Sequence, residues 1–206
     1  MDLPKRISRK GNAMSNQEAA APAAFCDLSE PAQALLKQEP QGPRFFKSLM
    51  DGELYDDALQ FAAACLAGPD RIWWGVLCVW ESLRPVAHPD DEELLERIVT
   101  YLQKPQDELR WQIRRQSHTR GISPTLKMLA EALFHSGDSI TPPDGPQLKP
   151  NPCVPVALVS TAAKSAATIC RMQRGIDMRP EFLRLAMEVS QGKQSLHVEP
   201  AEALTK

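Results

Sequence analysis

Chemistry-bearing motifs are scarce in this chain. Its five cysteines (Cys26, Cys65, Cys78, Cys153 and Cys170) are odd in number and widely spaced, and none stands in a C-x-x-C pair. That spacing excludes the usual zinc cluster. No H-E-x-x-H helix or EF-hand loop occurs, and no glycine-rich loop of either phosphate-cradling type. No metal or cofactor is therefore expected. A bias of charge is missing too. The formal net charge is −2, so no global attraction to nucleic acid follows. No apolar run approaches the roughly 20 residues that cross a bilayer. Behind the basic residues Lys5, Arg6, Arg9 and Lys10, the stretch 11–24 is not an apolar signal core. The expected location is cytoplasmic, away from membranes. Strand pairs with hairpin turns are also lacking, which turns attention to helices.

What is present is a run of apolar helical character from Asp70 to Leu83, holding three of the four tryptophans. At 100° per residue, Ile72, Trp73, Val76, Leu77, Val79, Trp80 and Leu83 form one stripe roughly 160° wide. Trp74 and Cys78 fall outside it. A helix apolar on nearly every side must be covered on nearly every side, by its own domain or by a partner. With 43% hydrophobic and 24% charged residues, the 206-residue chain suits one globular core.

Residues 1–26 read as a disordered lead-in, within which Met14-Ser-Asn-Gln would also serve as an ordinary start. A single helical domain is expected over 27–192, and a frayed tail over 193–206. Ser29 with Glu30-Pro31 gives a helix start. Helices follow over 44–50 and 54–67, the latter ended by Gly68-Pro69. The tryptophan helix comes next. Pro89 and four acids then open a helix burying Leu94, Leu95, Ile98, Val99 and Leu102. A basic helix spans 105–120, and Ser123-Pro124 starts another that stops at Ser136-Gly137. Six prolines between Thr141 and Pro155 exclude both a regular helix and a central strand. A small-residue helix over 156–170 and a last one over 181–190 complete an all-α, compact, irregular multi-helix bundle with a proline-rich connecting loop.

The order of these pieces resembles an uncharacterised bacterial family, a domain of unknown function. The resemblance is carried by Leu28-Ser-Glu30, Phe46 with Tyr55-Asp-Asp57-Ala58, Trp73-Trp74 with Leu77-Cys78, and Ser123-Pro124. Phe134-His-Ser-Gly-Asp-Ser-Ile140, Pro142-Pro143, Ile176-Asp177 and Gly192 continue it, so that it covers about residues 25–192. Asp70-Arg71 and Trp80 depart from the family pattern. The resemblance implies no established activity; it implies a loose association with secretion or contractile-injection systems.

The candidate chemistry is weighed residue by residue. Cys65, Cys78 and Cys170 sit among apolar helical neighbours, where a thiol behaves as a small hydrophobe. His118 and His135 could meet a cysteine in space, but their spacing does not argue for it. Asp56-Asp57 and the four acids from Asp90 to Glu93 suit a helix first turn or a solvated face better than acid–base work. Arg110, Arg114 and His118, spaced by four, share a helix face with Arg115 beside it, and could meet an acidic partner or a phosphate. A solvated face paired with neighbouring acids is the simpler reading. Trp111 lies off that face and anchors the helix. Pro143-x-x-Pro146 could present a polyproline ligand, although a stiff strap between two docked helices is preferred. Trp74 is the sharpest candidate: left partly exposed it would be a binding hot spot, unless the small-residue helix covers it.

The expectation is a non-enzymatic adaptor that binds another protein through Trp74, Arg110, Arg114, Arg115 and His118, serving a bacterial secretion system. The alternatives are a small-molecule-binding or enzymatic domain using Cys and His residues, and a weak nucleic-acid binder through helix 105–120.

Overall fold

The structure, a computed structural model, describes residues 18–142 and 145–194. The expectations placed on the lead-in up to residue 17, on Met14, on Pro143 and on the tail beyond 194 lie outside those residues. Among the described residues the fold is all-α and compact, with no strand. Its helices are α1 (Ala20–Ala23), α2 (Glu30–Gln38), α3 (Gly42–Asp51), α4 (Tyr55–Cys65), α5 (Gly68–Leu83), α6 (Pro89–Gln103), α7 (Asp107–Ser117), α8 (Pro124–Phe134), α9 (Cys153–Arg174) and α10 (Arg179–Ser190).

Proline is the main helix starter. It stands at the first or second position of α2, α3, α5, α6, α8 and α10, where its missing N–H would have no intrahelical partner and its fixed φ suits the helix. That corrects the reading of Gly68-Pro69, which opens α5 rather than closing α4. The same logic lengthens α9. Pro155 lies in its first turn and is tolerated there, so the helix begins at Cys153 and ends at Arg174, capped by Gly175, whose φ of 69° is the left-handed conformation that glycine adopts freely.

The core sits where α4, α5, α8 and α9 meet. The buried side of α9 is built from Ala162, Ala163, Ala166 and Ala167, which let its neighbours approach closely. At Gly75 a Cβ would lie 2.6 Å from Leu129 of α8 and 3.2 Å from Val159 of α9, so only glycine admits this three-helix crossing. By length and composition alone α9 could cross a membrane, contrary to the sequence reading, because its small apolar residues are interrupted by few charges. Its inner face packs on α4, α5 and α8.

The described residues at the two edges of the fold are held by specific contacts. Ala19 is fully buried, and its N–H donates to the Pro40 carbonyl at 2.7 Å. The stretch 18–26 thus belongs to the folded unit and packs α1 on α4. At the other end Lys193 donates its backbone N–H to the Glu188 carbonyl, and the Gln194 carbonyl accepts the indole N–H of Trp73 at 2.8 Å.

Two buried carboxylates pin helices together. Asp57, in the first turn of α4, accepts the backbone N–H of Ser29 at 2.7 Å and its hydroxyl at 2.9 Å, and Ser29 is the N-cap of α2. Asp91, in the first turn of α6, accepts the backbone N–H of Ser123, the N-cap of α8, at 2.8 Å. Each acid sits at the positive end of its own helix and serves the start of another. The adjacent Asp56 and Asp90 stay exposed.

Candidate interaction surface

The sequence offered Trp74 and the arginine face of α7 as outward-facing features, and the fold turns most of both inward. Trp74 is fully buried, and its indole N–H donates to the Phe182 carbonyl of α10 at 2.8 Å. It is therefore not an exposed hot spot. The polar atom that would have served a partner is satisfied by α10, while α8 and α9 pack on Gly75 beside it. Cys78 is buried as well, so the covered surface of α5 is wider than the stripe.

Arg110 is the second correction. It is only 2% exposed, and its guanidinium fills a socket made by the end of α8 and the turn after it. Nη1 donates to the Phe134 carbonyl at 2.7 Å and Nη2 to the Ser139 carbonyl at 2.8 Å. Asp107 Oδ1, one turn earlier on α7, accepts from Nε at 2.8 Å and from Nη2 at 2.5 Å. The Phe134 ring lies 4.7 Å from its Cζ. A Cβ at Gly137 would fall 2.7 Å from that Cζ, so the serine-glycine stop of α8 is also the gap through which the arginine passes. Burying a guanidinium is costly unless its donors and charge are answered, and here both are.

Arg114 and His118 do meet an acid, but it belongs to the same chain. Glu131 of α8 accepts from Arg114 Nε at 3.2 Å and lies 2.8 Å from His118 Nε2. His135 Nε2 approaches its second oxygen at 3.8 Å. Arg114 stacks on Phe134 with its Cζ at 4.1 Å from the ring centroid. Trp111 meets the same ring edge-on at 4.8 Å and donates its indole N–H to Asp107, which confirms its anchoring role. His135 is held below the usual imidazole range, chiefly by desolvation; Glu131 opposes that shift, and Arg114 and Arg110 reinforce it. Its Nδ1 is buried without a partner.

Arg115 and His118 remain on the outside. Three residues apart at the C-terminal end of α7, each side chain is 65% exposed. Arg115 makes only a long contact of 3.7 Å to Glu108.

Three of the five thiols are held away from the reactive form. Burial pushes Cys26 and Cys65 up to about 12, and Cys78 well above its ordinary value. A thiolate nucleophile needs the opposite shift. Of the two histidines of the α7–α8 seam, His118 bonds to Glu131 and His135 lies 3.8 Å from its second oxygen. Among the described residues no three His, Cys, Asp or Glu side chains come together as metal ligands.

The residues that the sequence reading missed are those that receive: Asp107, Glu131, Phe134, Gly137 and the buried Asp57 and Asp91. Glu131 and His135 lie four apart on one helix, a visible spacing. The pairing of Arg110 with carbonyls 24 and 29 residues away left no local signal.

A family model built from related sequences, described as a family of unknown function, DUF6931, matches residues 45–190, most of the chain. The chain belongs to DUF6931. No curated protein and no solved structure matches it. The Arg110 socket, the tryptophan helix and the α9 core all lie inside the matched DUF6931 region, whereas α1 and α2 lie before it.

Proposed function

We propose that this DUF6931 protein is a non-enzymatic adaptor of the bacterial cytoplasm that binds another protein through the outer end of α7, as an accessory of a secretion apparatus. The observation that carries the reading is the exposed pair Arg115 and His118, set on a helix whose Arg110 is locked into the core and whose Arg114 is half-buried against Phe134 and Glu131. A rigid helix presenting a charged edge suits recognition of an acidic protein surface, since its geometry is fixed before the partner arrives. The raised thiols of Cys26, Cys65 and Cys78 speak against those three as nucleophiles. Burial of Arg110, with Arg114 engaged by Glu131, also weakens the case for a phosphate-binding face.

The test is capture of partners by the tagged full chain from its native lysate at moderate salt, beside the variant Arg115→Glu with His118→Glu. Arg110 is left intact because it is structural. Recovery of a stoichiometric protein by the parent, and its loss from a variant with unchanged melting temperature, is the expected result. Equal recovery by both, or recovery of the bait alone, overturns the proposal.

A further inference from the structure

One stripe of α5 is covered at its first position and open along the rest. At 100° per residue, Trp73, Leu77, Trp80 and Arg84 share a sector of roughly 60°. It lies on the side opposite Gly75, where α8 and α9 pack. Exposure rises along this sector: Trp73 is only 4% exposed, Leu77 and Trp80 are half-buried, and Arg84 is exposed. At the covered position stands Gln194, whose carbonyl accepts the Trp73 indole N–H at 2.8 Å. The cover therefore comes from the chain that follows α10, and the open positions are the next ones along α5.

Trp80 also differs from the other three tryptophans. Trp73, Trp74 and Trp111 each donate the indole N–H, to the Gln194 carbonyl, the Phe182 carbonyl and the Asp107 carboxylate. The Trp80 N–H has no acceptor among the described residues. Its ring packs against the core from one side. What suits the other side is a segment that brings apolar side chains and carbonyls together, as extended backbone does.

The sequence after Gln194 has that pattern. Ser195-Leu196-His197-Val198-Glu199 alternates polar and apolar residues, and Pro200 ends the alternation. The lengths agree as well. α5 rises about 1.5 Å per residue, which puts Leu77 roughly 6 Å, Trp80 roughly 10 Å and Arg84 roughly 16 Å beyond Trp73. Extended chain advances about 3.3 Å per residue. On that scale Leu196 comes level with Leu77, Val198 reaches Trp80, and Glu199 comes level with Arg84. Arg84 has one acidic contact among the described residues, Glu81 at 3.2 Å, and its side chain is 55% exposed. A second carboxylate has room there.

We infer that residues 195–199 of this chain dock as an extended strap along the outer face of α5, with Leu196 and Val198 on Leu77 and Trp80, a strap carbonyl on the Trp80 N–H, and Glu199 on Arg84. The strap continues the contact that Gln194 begins at Trp73. It uses no residue of α7, so it stands or falls apart from the reading above.

The test follows the indole N–H signals of the full chain by proton–nitrogen correlation NMR, with Trp80 identified by its loss in Trp80→Phe. Exchange of the Trp80 N–H with water should be slow in the parent. It should rise by about tenfold or more when the chain is ended at Gln194, while the Trp74 and Trp111 signals stay in place. Leu196→Ser with Val198→Ser should do the same at full length, and is the deciding variant if truncation disturbs the Trp74 signal. Arg84→Glu should also speed the exchange, and adding Glu199→Arg should slow it again. Exchange in the parent as fast as in the shortened chain, or unmoved by the paired serines, overturns the proposal. So does a Trp80 signal indifferent to Arg84→Glu. Protection that is lost on dilution gives the stripe to a second copy, and equally overturns the proposal.

Discussion

The tryptophan helix α5 and the arginine helix α7 solve the same problem in different currencies of interaction. Each turns inward a large side chain with polar atoms, and each satisfies it with backbone carbonyls. Trp74 has one donor and needs one carbonyl, Phe182; everything else about its burial is apolar contact. Arg110 has five donors and a charge, and needs two carbonyls, a carboxylate and an aromatic face. The apolar solution closes completely. The polar one leaves a residue at its edge, because Glu131 gathers Arg114, His118 and His135 at a half-buried position and α7 runs on into solvent. Surface chemistry survives where the core is polar.

That contrast can be broken at either end. Trp74→Ala should cost the most, about 3–5 kcal/mol as for other large-to-small changes in a packed core, read as a drop in the urea midpoint. Trp74→Phe keeps most of the ring and removes one buried hydrogen bond to the Phe182 carbonyl, which α10 still pairs, so a loss of about 0.5–1.5 kcal/mol is expected. A Phe variant as damaged as the Ala variant would show that the hydrogen bond, not the packing, dominates. Arg110→Met should follow, on the order of 3 kcal/mol. It removes the charged donors of the Phe134 and Ser139 carbonyls, bonds worth about 1.5–3 kcal/mol each, leaving Phe134 only the 3.4 Å contact from the Gly137 N–H, whereas Asp107 is solvated enough to tolerate the loss. Arg110→Lys should restore little, since an ammonium cannot reproduce the guanidinium fork; full recovery in thermal melts would mean that charge alone suffices.

Gly137→Ala sharpens the socket. Its methyl would overlap the guanidinium, at about 1–3 kcal/mol for an overpacked site, and combining it with Arg110→Met should be less than additive. Strict additivity would disconnect the two residues. The smallest effect is with pH. His135 titrates below the unfolded value of about 6.5, so the unfolded state takes up a proton that the folded state resists. Its contribution is absent where both forms are neutral. Stability falls as the pH drops through about 6.5 and levels once the folded imidazole also protonates. Melting curves at falling pH should show less of that decline in His135→Gln than in the parent.

Much of the fold was legible, because serine caps, first-turn prolines and glycine stops act locally. Ser29, Pro89 and Ser123 mark real helix starts. The misreadings share one cause. Gly68-Pro69 and Pro155 look like breaks until it is known that a helix begins there. Trp74 lies outside a one-sided stripe, and only the docking of α10 shows that α5 is covered around more of its surface. Arg110 is indistinguishable in sequence from Arg114 and Arg115, because what buries it is a pair of carbonyls from a distant turn. Within the site, the spacing located the right helix and mistook which of its residues face outward. The phenylalanine-to-isoleucine segment 134–140 was visible as a family feature, but its role as a receptor for Arg110 was not.

The two indole bonds of α5 have a consequence for biosynthesis. Trp74 and Trp73 leave the ribosome 108 and 121 residues before the carbonyls of Phe182 and Gln194 that receive them. A nascent chain can assemble α4, α5 and α8, yet its central indoles have no acceptor until α10 has emerged. Co-translational folding of this domain is therefore completed late, and the tryptophans, being both the seal and the fluorophores, would report the moment at which α10 docks.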